Sequence, residues 1–232
     1  SFVLVAFSAT RLALSTPTFV ILLAPVLLYA LTMMISVASS SRRRRFDRID
    51  HEFRVADYRP EVAPTVDIFL PTAGEPIEVL ENTYRHVDRM HWPSRIEVHV
   101  LDDGARDEVR DLAAAYGFRY HRRPDRGRLK KAGNLRYGYE HSDGDLIVVF
   151  DADFAPRHDF LAHLVPYFED EHVGIVQSPQ YFDATKDMHW LQRGAGATQE
   201  LFYRWVQPSR DRSNAAICVG SCAVYRRSAL EV

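Results

Sequence analysis

Leu146-Ile147-Val148-Val149-Phe150-Asp151-Ala152-Asp153 is an unbroken apolar run that ends on two carboxylates. Five β-prone residues without alternation describe a strand buried on both faces, the usual state of a central strand in a parallel sheet. Two more β-rich runs are strand candidates that also end on polar motifs. Val66 to Leu70 leads into Pro71-Thr72-Ala73-Gly74-Glu75-Pro76, and Ile96 to Leu101 leads into Asp102-Asp103-Gly104. Between and beyond them the apolar spacing is helical. Helices are expected from Pro76 to about Met90, Arg106 to Tyr116, around Lys131 to His141 and Asp159 to Phe168. Residues 188–206 complete the set. Shorter strands are expected at Phe118–His121, Val173–Gln177 and Ile217–Tyr225. Alternation of this kind gives an α/β fold with a mainly parallel, Rossmann-like sheet and helices on both faces. Ligands of such sheets bind at the carboxyl ends of the strands, where the polar motifs lie.

Five acidic residues thus gather at one sheet edge. Crowded carboxylates raise one another's pKa, and a hard divalent cation, Mg2+ or Mn2+, relieves the repulsion better than zinc does. On an extended chain Asp151 and Asp153 share a side, so both can serve one metal–diphosphate unit. Singly the motifs carry little. Asp-x-Asp recurs by chance, Asp103-Gly104 suits a turn, and Glu75 suits a helix start. Their order at three strand ends is the informative feature. Arg126-Gly127-Arg128-Leu129-Lys130-Lys131-Ala132-Gly133-Asn134 lies between the second and third motifs. Small residues at a helix start admit a phosphate to the backbone N–H groups. Lys131 adds a point charge and Asn134 a donor and an acceptor. Alone this would be a solvated basic loop; beside an acidic cation site it completes a pocket for a metal-bound nucleoside diphosphate.

Composition sets the frame. The 232 residues are 47% hydrophobic and 26% charged, with a net charge of −2. These values exclude a disordered or low-complexity chain, and near-neutral charge argues against nucleic acid as the partner. The apolar residues are unevenly spread. No charge occurs from Leu12 to Ser41, and the apolar centre at about 18–38 is long enough for a transmembrane helix. Phe2 to Phe7 reads as the tail of a preceding membrane helix or an interfacial piece. Pro17 suits a helix start, and Pro25 is a kink that membrane helices tolerate. Arg42 to Arg45 follow the span, which places what comes after on the cytoplasmic side. A signal peptide would carry its basic residues first. The expected organisation is a membrane segment at 1–41, a basic linker at 42–64 and one catalytic domain at 65–232. The first residue is Ser and Glu231-Val232 falls as a helical pattern begins, so a fragment is expected.

In this order, PTAGEP (71–76), LDDG (101–104), KKAGN (130–134), VFDAD (149–153), VQSPQYF (176–182) and VGSCAVYRR (219–227) resemble the family 2 glycosyltransferases. Within them the likeness is to the bacterial cellulose synthase type, over about 60–230 and the preceding helix. The resemblance implies a GT-A-like fold and inverting transfer of a sugar, glucose leading, from a UDP-sugar to a β-linked polysaccharide at the inner membrane face. It implies donor binding by Thr72, Glu75, Asp102, Asp103, Lys131, Asn134 and Asp151. Asp151 and Asp153 would hold the metal, and Gln177, Gly220 and Ser221 would line the acceptor side. Membrane lipid is the implied surroundings. Departures exist: Leu129-Lys130 replace the usual His-Ala, and Cys218 falls one place early, which on a strand turns its thiol to the other face. The family's Thr-Glu-Asp base motif and Gln-x-x-Arg-Trp acceptor motif are expected beyond Val232, so no catalytic base is assigned and this fragment is expected not to make polymer. Addition of one sugar to a lipid carrier, or a non-catalytic nucleotide-binding module, are the other readings. Cys218 and Cys222, four apart on an expected strand, are too distant for a disulfide and are read as buried thiols. Tyr181-Phe182 suit sugar stacking or the core. Residues 188–206, with Trp190, Phe202, Tyr203 and Trp205, suit the membrane surface.

Overall fold

The computed structural model describes residues 2–41, 48–181, 188–211 and 215–231. Along the chain run α1 (Phe2–Ser15), a 3-10 turn (Pro17–Leu22), α2 (Leu23–Ser41), α3 (Arg48–Asp57), β1 (Val66–Thr72), α4 (Ile77–Asp88), β2 (Ile96–Asp102) and α5 (Asp107–Ala115). Then come β3 (Arg119–His121), α6 (Lys130–Glu140), β4 (Leu146–Val149), α7 (Phe160–Leu164), β5 (Ile175–Gln177), α8 (Trp190–Leu201), α9 (Gln207–Asp211) and β6 (Ala223–Arg226). The chain divides into two compact units, one of residues 1–46 and 181–217, the other of 47–180 and 218–232.

The larger unit holds a six-stranded sheet in the order β3-β2-β1-β4-β6-β5. β3, β2, β1 and β4 are parallel, and β6 runs antiparallel to both β4 and β5. β1 lies between β2 and β4 and every one of its seven residues is buried, Asp67 and Thr72 included, as a central strand covered on both faces requires. Alternation along the strands sends Ile68, Leu70, Val100 and Val148 to one face, where Leu80 and Tyr84 of α4, Val109 of α5 and Leu161 of α7 cover them. Phe69, Leu101, Ile147 and Val149 face the other way, against Leu135 and Tyr139 of α6. Helices therefore cover both faces, and the three motif-bearing strands end side by side.

Several local expectations change. The helix expected over Asp159–Phe168 stops at Leu164 and continues as a 3-10 turn, Val165–Glu169. Pro166 lacks the N–H and crowds the preceding carbonyl. The strand expected from Ile217 begins only at Ala223, because Gly220 (φ +80°) and Cys222 (φ +53°) are left-handed. Cys218 is therefore not on a strand. It is exposed, with its Sγ 3.0 Å from the Tyr225 hydroxyl, while Cys222 is buried. The strand-face argument for its thiol does not apply. Within the stretch read as a linker, residues 48–57 form α3.

In the smaller unit α1 and α2 flank the 3-10 turn that Pro17 opens. α2 starts at Leu23, so Pro25 sits in its first turn, where the missing N–H has no intrahelical partner to lose. Among the described helices one passes by length and composition as a membrane span, over Phe19–Ser36, and none of that window is buried. Residues 188–206 are helical as expected, with a π turn at Phe202–Val206, and α9 extends them to Asp211. His189 opens α8 with a capping box: its backbone N–H donates to Gln192 Oε1 at 2.9 Å. Trp190 and Leu191 are exposed, and the Arg204 guanidinium lies 5.7 Å from the Tyr181 ring centre. The arginines at 42–45 and Phe182 lie outside the described residues.

Candidate active site

The carboxyl ends of β1, β2 and β4 and the start of α6 enclose a cleft of about 480 Å3. Thr72, Glu75, Asp103, Lys131, Asn134, Asp151 and Asp153 line it, joined by Gly127 and Lys130. Asp102, Gln177, Gly220 and Ser221 do not.

Each wall has a local cause. After β1 the chain turns, and Glu75 folds back into the turn. Its Oε2 accepts from Thr72 Oγ1 at 2.5 Å, from Ala73 N at 2.8 Å and from Gly74 N at 3.0 Å. Burial alone would raise its pKa, but these donors outweigh it and hold the carboxyl at about 2. After β2, Asp102 and Asp103 point to opposite sides. Asp102 is fully buried and accepts from Gly104 N and Arg106 N at 2.8 Å and from Tyr120 Oη at 2.9 Å. It builds the turn, while Asp103 faces the cleft.

Asp103 has a partner that sequence reading missed. Arg123 is buried and donates from Nε and Nη2 to the two oxygens of Asp103, both at 2.6 Å. The fork holds the Asp103 carboxyl below its ordinary pKa. Arg123 also donates to the Arg128 carbonyl at 2.8 Å and the Lys130 carbonyl at 3.3 Å. One side chain thus ties the end of β2 to the basic loop. Arg106 does similar work, donating to the Glu75 carbonyl at 2.8 Å. In sequence both were indistinguishable from surface arginines.

The basic loop enters α6 through Leu129 (φ +56°) and Lys130 (φ +50°), both left-handed. Gly133 is required behind it: a Cβ there would lie 2.3 Å from the Arg128 carbonyl oxygen and 2.7 Å from Arg123 Nη1. Asn134 is buried and donates to the Leu101 carbonyl at 2.6 Å, locking α6 to β2.

β4 ends at Val149, and Asp151 opens a turn closed by Phe154 N donating to its carbonyl at 3.1 Å. Asp151 and Asp153 therefore do not lie on an extended chain, yet both reach the cleft. Lys131 pairs with Asp151 and also donates to the Gly220 carbonyl at 3.2 Å. Asp153 is exposed and its carboxylate has no ion pair or hydrogen bond among the described residues. Ser221 is buried, and its Oγ accepts from Asp151 N at 2.9 Å. Gln177 grips the same segment. Its Nε2 donates to the Ser221 carbonyl at 2.9 Å and its Oε1 accepts from Val219 N at 3.2 Å. Gln177, Gly220 and Ser221 thus sit behind Asp151 and position it.

Comparison with known proteins adds the family. The glycosyl transferase family 2 profile matches residues 67–232. The chain belongs to that family. It is similar to the cellulose synthase catalytic subunit of Pseudomonas fluorescens, at 39% identity over 74% of this chain and 24% of the relative. The corresponding subunit of Xanthomonas axonopodis pv. citri is 37% identical over 72% of this chain and 24% of its own length. The chain thus spans about a quarter of these curated relatives. A mannosyltransferase from Pyrobaculum calidifontis, solved with GDP-Man and Mn2+, shares the fold at TM-score 0.55 and 22% identity, over 87% of this chain and 56% of the other. The TarS structure from S. aureus does so at TM-score 0.52 and 12% identity, over 72% of this chain and 29% of the other.

Proposed function

We propose that this chain carries the donor site of a cellulose synthase-like inverting glycosyltransferase. Its donor is a UDP-sugar, glucose leading, its acceptor a β-linked polysaccharide, and its place the inner membrane face. The carrying observation is the juxtaposition, in one cleft at the strand ends, of Asp103, Asp151 and Asp153 with Lys130 and Lys131. The likeness to cellulose synthase catalytic subunits supports the polymer reading. The apolar window at Phe19–Ser36, none of which is buried, supports the membrane, since a soluble core helix of that composition would be buried.

The reading gives each group a task. Thr72, Glu75 and Asp103 take the nucleoside, with Asp103 fixed by Arg123 and Asp102 holding the turn between them. Asn134 sets the pitch of α6, so that Lys131 and the loop N–H groups meet the diphosphate. Asp151 and Asp153 hold Mg2+ or Mn2+. The donor set fits, because both are hard oxygen ligands and the Asp153 carboxylate is exposed and unpaired. Such an ion supplies charge neutralisation for the leaving diphosphate. Lys131, which pairs with Asp151, is placed to meet the diphosphate of the donor. Gln177, Gly220 and Ser221 keep Asp151 in place from the acceptor side.

Competition among nucleotides tests the donor. With Mn2+ present, UDP-glucose should displace a fluorescent UDP analogue at least ten-fold better than GDP-mannose does, a preference of about 1.4 kcal/mol. Equal displacement would remove the uridine assignment.

A further inference from the structure

At the other end of the same strands lies a second cluster, unrelated to the donor cleft. Asp67 of β1 and Glu97 and His99 of β2 each bring one ligand atom within 4.8 Å of the others. His99 Nε2 is 3.5 Å from Asp67 Oδ1 and 3.7 Å from Glu97 Oε2. Asp67 and His99 are fully buried, and these two atoms, Asp67 Oδ1 and His99 Nε2, have no hydrogen-bond partner. Buried polar atoms are rarely left so.

The remaining atoms of the same side chains are all engaged, which fixes the direction of the free ones. Asp67 Oδ2 accepts from Gly144 N at 2.6 Å and from Arg227 Nη2 at 3.2 Å. Glu97 Oε1 pairs with Arg119, and Glu97 Oε2 also lies 3.6 Å from Arg95 Nη1. His99 Nδ1 lies 2.9 Å from His121 Nε2. We propose that Asp67, Glu97 and His99 form a structural site for a zinc-class divalent ion, with one coordination position left for water.

Three arguments carry this. One imidazole nitrogen and two carboxylate oxygens suit a borderline ion such as Zn2+ better than Mg2+. Zinc bonds of about 2.0–2.2 Å in tetrahedral geometry place neighbouring ligand atoms about 3.4 Å apart, close to the two separations seen. The outer partner is also in place: a ligating histidine usually donates its second N–H to an acceptor that sets its tautomer. His121 fills that role. Its Nε2 lies 2.9 Å from His99 Nδ1, within reach of that N–H. The site is not the donor site, since Asp67 precedes Thr72 by five residues, roughly 16 Å of strand.

The test is metal content. The untagged chain is refolded in excess Zn2+ and dialysed extensively. The wild type and the Asp151→Asn/Asp153→Asn variant should each retain one zinc per chain, and His99→Leu should retain none. Replacement by Co2+ should give the wild type a tetrahedral visible spectrum, which needs no variant to fold. Absence of retained zinc and of that spectrum would overturn the site and leave His99 packed between two carboxylates without a metal. Zinc retained equally by His99→Leu, or lost in the Asp151/Asp153 variant, would also overturn it.

Discussion

Arg123 shows how much one side chain organises in this cleft. Its fork fixes the Asp103 carboxylate and its remaining donors hold the carbonyls of the basic loop. Both partners are largely buried, with side-chain exposures of 1% and 10%. Removing one member of such a pair leaves the other charged and unpaired, which typically costs about 3–5 kcal/mol. Arg123→Ala should lower the stability of the larger unit by that amount in urea unfolding and weaken UDP binding as well. Arg123→Lys keeps the charge but not the planar fork, so it should recover only part of both losses. A variant as stable as wild type would mean that Arg123 is not the organiser. Residues of this kind mark where sequence reading ends. Arg123 stands among Arg122, Arg126 and Arg128 and looks like part of a solvated run; its burial comes from the tertiary fold. Asp102 and Asp103 were closer to legible. Neighbours on a strand face opposite ways, so only one of the pair could reach the ligand.

The elements around the cleft were readable for a simple reason. Short β-rich runs bounded by Asp, Gly and Pro and alternating with helical spacing read as strands of a covered parallel sheet. The irregular pieces were not. Ile217–Cys222 carries a strand-like composition, but Gly220 and Cys222 take left-handed conformations and the ladder starts only at Ala223. α3 was hidden because it is a ten-residue helix of polar composition just past a basic run, with only a narrow stripe of Ile49, Phe53 and Ala56; none of its residues is buried. Two element-scale predictions follow from packing. Gly133→Ala at the start of α6 forces a Cβ against the Arg128 carbonyl. It should destabilise by ~1–3 kcal/mol through overpacking and reduce UDP affinity. Gly194→Ala on α8, where a Cβ meets nothing, should instead gain up to about 1 kcal/mol. The pair of unfolding curves checks the contrast.

A further prediction at this scale concerns α3. His51 Nδ1 lies 2.8 Å from Tyr167 Oη and His51 Nε2 lies 3.0 Å from His163 Nδ1; His163 Nε2 is 3.3 Å from Asp159. Arg54 covers the Tyr167 ring. Burial, then the charge of His163, lowers the His51 pKa, while Glu52 opposes the shift. A base whose folded pKa is depressed binds more protons unfolded, so its contribution is full above the unfolded value of 6.5. That contribution falls as pH drops through 6.5 and levels off below the folded pKa. Hydrogen exchange of the 48–57 amides should therefore accelerate as pH falls from 7.5 to below 6, after correction for intrinsic rates. In His51→Gln this acceleration should vanish.

At the scale of the whole chain, the two units separate two questions. The larger one carries the cleft and nearly all of the buried core; the smaller one carries the apolar helix. The chain covers 24% of the length of the cellulose synthase relatives. Donor binding is the part of the activity that the described residues can be held to directly. The overall charge of −2 hides a local opposition of carboxylates and lysines across one cleft, and a metal-bound diphosphate is the ligand proposed for it. The direct test is calorimetric titration of UDP into the chain, with and without Mn2+, alongside Asp151→Ala and Asp153→Ala. The account predicts binding that requires the metal and is lost in both variants while their unfolding curves stay near wild type. Metal-dependent binding that survives both substitutions would contradict it.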